Sequence, residues 1–189
     1  GVAGQWLDAA AHLRRAIAAQ PLPDSARGDP CPICASRLLL IDTYAAADSL
    51  PAALRVAEGL VRMRPHSRLA WLAYSHVLSA SGRYDAARAA IDTGTRYASG
   101  TDDDVIEYAQ IAIRSGNYDL ADRLLTTQAQ TGNGNSRHDA VWFLVISLRA
   151  QGRLHEALQM AEGTMRAGEP SSTHGSGISR LAEAQVLFE

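Results

Sequence analysis

Residues 71–91 read WLAYSHVLSASGRYDAARAAI, and the fold turns on how they are parsed. Trp71, Tyr74 and Leu78 follow one another at steps of three and four, the spacing of a single stripe on an α-helix. Gly82 interrupts the stripe and suits the left-handed residue that ends a helix. Tyr84, Ala87 and Ile91 then resume steps of three and four, which predicts a second helix. Asp85 falls in its first turn, where the helix dipole favours negative charge. Ala87 is small enough for the two helices to cross closely. The stretch reads as helix, tight turn, helix.

The same phrase returns along the chain. Gly116-Asn117-Tyr118-Asp119 stands 34 residues after Gly82, and Gly152-Arg153-Leu154 a further 36 on. Stepping back 34 from Gly82 reaches Asp48, with Leu50 in the tyrosine position, and Gly4 with Trp6 repeats the phrase farther back. Five residues after each anchor is an alanine: Ala9, Ala53, Ala87, Ala121 and Ala157. Nine after it come Leu13, Ala57, Ile91, Leu125 and Ala161. Four and eight before it come Tyr44 and Leu40, Leu78 and Tyr74, Ala112 and Tyr108, Leu148 and Leu144. A fixed period of this length is the mark of a stacked repeat array. The pattern predicts an all-α chain with helices over 4–20, 34–47, 50–64, 68–81, 84–98, 102–115, 118–131, 138–151, 154–167 and 177–189. Residues 21–33 (PLPDSARGDPCPI) read as an enlarged loop between repeats, and 171–177 (SSTHGSG) as another. Residues 131–137 (TGNGNSR) read as the loop that absorbs the two extra residues of the 36-residue step. None is long enough for a domain linker, so residues 1–189 are expected to form one domain.

The 34-residue period, the series Trp71, Tyr74, Leu78, Gly82, Tyr84, Ala87 and Ile91, and the prolines Pro21 and Pro65 after second helices resemble tetratricopeptide (TPR) repeats. The resemblance covers about residues 4–21 and 34–169. It implies a right-handed superhelical solenoid of antiparallel helix pairs, with about four full repeats and half-repeats at both ends. It also implies that the first helix of each pair lines a concave face that binds other proteins. The Asp48 repeat departs by lacking the turn glycine. Ile41, Ser75, Ala109 and Val145 stand where the family often has glycine, seven before the anchor, and the bulk of Ile41 and Val145 predicts looser crossings there. The arginine, lysine and asparagine set with which some members hold a peptide's terminal carboxylate is not present.

Composition narrows the function. A net charge of −2 and a pI near 6.3 argue against nucleic acid or an anionic membrane as the main partner. All eighteen basic residues are arginine, which we read, with the abundant alanine and glycine, as a GC-rich bacterial coding sequence. The longest apolar run, residues 38–41, is far too short to span a bilayer. The chain opens on Gly1 without a basic-then-apolar leader, and half-repeats at both ends predict a piece of a longer array. The cytoplasm is the expected location, with the periplasm left open, because two cysteines do not fix the redox compartment.

No catalytic pattern stands out. The sequence has no Gly-rich phosphate loop, no G-x-S-x-G elbow and no H-E-x-x-H helix. The six histidines are scattered without metal-ligand spacing, so no metal, cofactor or enzymatic activity is expected. Asp102, Asp103 and Asp104 sit where a helix begins and read as cap and dipole partners. Cys31-Pro32-Ile33-Cys34 is the one sharp local motif. A haem site would need histidine where Ala35 stands, and a zinc site would need a second pair. A local disulfide or two packing thiols pinning the long loop is the plainer reading.

What remains is surface. Ten before the anchor come Leu38, Leu72, Ile106 and Trp142; six before come Asp42, His76, Gln110 and Ile146; three before come Ala45, Ser79, Ile113 and Arg149. Intervals of four and three hold each triplet on one helix face. The resemblance makes this face the expected groove, with Leu38, Asp42, Leu72, His76, Ile106, Gln110, Ile113, Trp142, Ile146 and Arg149 as the partner-contacting set. A plainer reading has these residues packing on neighbouring helices. The expected function is a non-enzymatic scaffold that takes a peptide or partner protein in that groove. The alternative is a regulatory or sensor module of a larger bacterial signalling protein, a Ser/Thr kinase or a transcriptional regulator.

Overall fold

The computed structural model describes residues 2–19, 34–97 and 102–166. They form helices α1 (Val2–Ala19), α2 (Cys34–Ala46), α3 (Leu50–Met63), α4 (Arg68–Ala80) and α5 (Tyr84–Thr95), then α6 (Asp102–Arg114), α7 (Tyr118–Thr131), α8 (Gly134–Ala150) and α9 (Leu154–Arg166). No strand occurs among the described residues. The chain divides into two compact units, Gly1–Ser99 with α1–α5 and Gly100–Glu189 with α6–α9.

Each unit is built from consecutive helix pairs. In the first, α2 packs on α3 and α4 on α5; α1 covers α2, and α2 also touches α4. In the second, α6 packs on α7 and α8 on α9, and α6 also touches α8. The turn inside every pair has one geometry. Gly82, Gly116 and Gly152 have φ of 74°, 77° and 74°, as the glycine phrase predicts. After α4 the N–H of Arg83 donates to the carbonyl of Leu78 at 2.9 Å and that of Gly82 to Ser79 at 3.0 Å. Asn117 and Arg153 close the same ring onto Ala112 and Leu148. This is the Schellman arrangement, which satisfies carbonyls that a helix end leaves over. Asp48 adopts it too, at φ 54°, the one described non-glycine residue in the left-handed region, with Ser49 donating to Tyr44 at 2.8 Å. Short polar side chains tolerate that region better than bulky ones.

The apolar columns meet in the core. Ala53, Ala87, Ala121 and Ala157 are fully buried, and so are Ala57, Leu125 and Ala161. Ile41, Ser75, Ala109 and Val145 are buried at the helix crossings. Among the four pairs α4 and α5 meet most extensively, where Ser75 stands, and α8 and α9 least, where Val145 stands. Ile41 brings no such loss relative to Ala109.

Three expectations change. Gly4 lies inside α1 rather than at a turn, and Ala10, not Ala9, is the buried alanine there. The helix simply begins before the phrase, so the anchor has no turn to make. Residues 134–137 are helical instead of loop, because α8 starts four residues early and takes up the extra length of the 36-residue step. The hydroxyl of Ser136 donates to the carbonyl of Asn133 at 2.8 Å and helps hold that start. The helix expected over 177–189 and the loops over 21–33 and 171–177 lie outside the described residues.

Candidate functional site

In the first unit the expected binding face is carried by α2 and α4, which touch. Leu38, Leu72 and His76 are half-buried, Asp42 is exposed, and Ser79 is buried. Leu38 packs against both core clusters of the unit, around Leu60 and Ala70 and around Ile41, Ala57 and Val77. Its outer surface alone is open. The face is therefore narrow and mixed, with one carboxylate and one imidazole beside two leucines.

In the second unit the face is carried by α6 and α8. Ile106 is 7% exposed and belongs to the core with Ala109, Leu125 and Leu144, so it is taken out of the contact set. Ile113 and Trp142 are half-buried and pack against that same core, each leaving part of its side chain uncovered. Gln110, Ile146 and Arg149 are half-buried as well. These five residues lie on two adjacent helices and present apolar surface with an amide and a guanidinium.

Cys34 opens α2 and is fully buried against Leu60 and Ala70. It is disulfide-bonded. Cys31, the other cysteine of the chain, lies outside the described residues. Among the described residues no three His, Cys, Asp or Glu side chains gather as metal ligands would. No described helix is long and apolar enough to cross a membrane.

One feature of the second unit is not announced by the repeat pattern. Asp122 on α7 accepts hydrogen bonds from the Ser147 hydroxyl at 2.6 Å and the Gln151 amide at 3.0 Å, both at the end of α8. Arg153 in the following turn reaches Asp122 at 2.9 Å and Glu156 on α9 at 2.7 Å. The Glu156 hydrogen bond raises the Arg153 pKa above its ordinary value, and the Asp122 charge adds to this. The reciprocal bond from Arg153 holds the Glu156 carboxyl below its usual range. The network joins α7, α8 and α9, with Asp122 bonded to side chains 25 to 31 residues away, in a way that no spacing rule would reveal, because Asp122 sits where other repeats carry Leu54 and Arg88.

A search of protein-family models matches none, and no curated protein matches the chain. Among solved structures the chain is similar to a protein of Podosopora anserina described as a kinesin light chain with nearly identical TPR-like repeats. The two share 19% identity at a TM-score of 0.55, covering 98% of this chain and 90% of the other. The fold is thus a TPR-like helical repeat.

Proposed function

We propose that this protein is a non-enzymatic interaction module, a single repeat domain over 1–189, that takes a peptide or a segment of a partner protein on its first-helix faces. The observation that carries this reading is the α6–α8 face. There Ile113, Trp142 and Ile146 keep apolar surface uncovered beside Gln110 and Arg149. A half-buried tryptophan held by its own core is a rigid anchor that loses little freedom on binding, and tryptophan and arginine lead the residues in which binding energy concentrates. Gln110 can hydrogen-bond an extended backbone, and Arg149 a carboxylate. On α2 and α4, Leu38 and Leu72 with Asp42 and His76 offer a second, more polar face.

The test is a partner captured by cross-linking on the native chain, followed by affinity and melting measurements on two variants. Trp142→Ala is expected to weaken binding by about 2 kcal/mol or more. Leu144→Ala, a buried core truncation, is expected to cost about 2–5 kcal/mol of stability. If Trp142→Ala unfolds the protein as badly as Leu144→Ala, the tryptophan is core and the reading loses its anchor. The Cys31–Cys34 bridge is read as a pin on the long loop without a part in binding. Alkylation before and after reduction, followed by mass measurement, should show two protected thiols, and reduction should leave partner affinity unchanged.

A further inference from the structure

The first unit has a cavity of about 700 Å³ between α1 and α2, away from any residue assigned above. Arg14 and Arg15 of α1 and Arg37 of α2 stand around it, over a floor of Ile17 and Leu40 with two alanines. Leu40 is 3% exposed, so the floor is continuous with the core. Among the described lining residues there are three guanidinium groups and no carboxylate. The second unit has a cavity of different lining. Its cavity of about 500 Å³ also has an apolar floor, Leu144 and Leu148, but its one arginine, Arg153, is neutralised by Asp122 and Glu156 at its rim.

We infer that the α1–α2 cavity binds an acidic peptide segment in which an apolar side chain is flanked by carboxylates. The charge and the floor select this class together. Guanidinium groups present forked donors that match carboxylates two bonds at a time. The aliphatic floor would remain wetted under a lone inorganic anion, whereas an apolar side chain would cover it. Burial lowers the pKa of Arg37 from its ordinary value, the mark of a guanidinium partly withdrawn from water. Arg15 also donates to Nδ1 of His12 at 3.1 Å, which holds its head group near the α1 surface. The site lies on α1 and α2 and does not use the α6–α8 face, so it goes beyond the function proposed above.

The test is fluorescence anisotropy of the labelled peptide Asp-Glu-Leu-Glu-Asp on the full chain. Native protein should bind it, and affinity should fall as ionic strength rises, because exposed charges are screened within about 10 Å at 0.1 M salt. The double variant Arg14→Glu/Arg15→Glu should weaken binding by roughly tenfold or more, as loss of charge-assisted hydrogen bonds requires. Arg14→Lys/Arg15→Lys should restore part of it, and Leu→Ser in the peptide should also weaken it. Trp142→Ala should leave it unchanged, which separates this site from the α6–α8 face. Equal binding by the charge-reversed protein would overturn the inference, as would complete competition by inorganic phosphate with no dependence on the peptide leucine. A third outcome would overturn it as well: no binding by native protein but binding once Asp24 and Asp29 are changed to Asn, since the chain's own loop would then be the occupant.

Discussion

The two units pass the chain from one repeat to the next by different means. In the first, four residues join α3 to α4. The Trp71 indole donates to the carbonyl of Pro65 at 2.8 Å, and the buried Ser67 caps the helix by accepting from the N–H of Ala70. In the second, only Gly132 and Asn133 separate α7 from α8. Gly132 donates to the carbonyl of Gln128 at 2.8 Å, and a Cβ placed on it would lie 2.5 Å from that same oxygen. Yet the turns inside the repeats are alike in both units. A turn inside a repeat is set by backbone geometry and recurs wherever a glycine or a short polar residue can supply it. A link between repeats is set by whichever side chains fill the space, and so it varies.

The largest test of that contrast lies in the two cores. Leu78→Ala in the first unit and Leu148→Ala, its counterpart in the second, should each cost about 2–5 kcal/mol in a denaturant melt. A neutral result at either would show that the columns are not equivalent. Next come the crossings. Ala87→Leu and Ala121→Leu should each destabilise by about 1–3 kcal/mol through overpacking, whereas Ala9→Leu, only half-buried, should stay within roughly 0.5 kcal/mol.

The links should then part company. Gly132→Ala should cost about 1–3 kcal/mol, since the methyl meets backbone that cannot swing aside. Pro65→Ala should cost about 0.4–1 kcal/mol, mostly through a freer unfolded chain. Similar losses from both would erase the distinction.

The turns offer a smaller, two-way test. No atom lies within 4 Å of a Cβ on Gly116, so Gly116→Ala should lose about 1 kcal/mol for conformational reasons alone. Asp48→Gly relieves a left-handed residue and should gain about 0.5 kcal/mol once the freer unfolded glycine is counted. If Asp48→Gly destabilises, the aspartate is making a contact that its backbone geometry does not reveal.

Acid should produce the smallest effect, confined to the second unit. The Glu156 carboxyl is held below its ordinary range by Arg153, so its contribution is present above the usual carboxylate pKa and fades as pH falls through the lowered one. The melting temperatures of native protein and Glu156→Gln should therefore converge as pH falls. Added salt should narrow the gap at neutral pH, because Glu156 is well exposed.

Most of the fold was legible because the repeat imposes one period on turn, small column and large column together. Gly82, Gly116 and Gly152 marked their turns, and Asp48 was found only because the period pointed to it. Where the chain slips its period, legibility fails: Gly4 repeats the phrase inside a helix, and residues 134–137 look like a loop but extend α8. The binding face was less legible. Ile106 and Trp142 share a column, yet one is core and the other half-open, since helical spacing gives direction and not the depth of cover. The Asp122 network and the arginine cavity depend on residues brought together across helices, which no local pattern carries.

The uniform turns also bear on how the chain reaches this structure. Each pair closes through a turn of a few residues, so its first long contacts form at small loop-closure cost. No step needs distant segments to find one another before any are stabilised. A repeat array of this kind can nucleate at any pair and grow outward. Hydrogen exchange should then release amides pair by pair, with α4 and α5, the most extensively packed, holding theirs longest in the first unit.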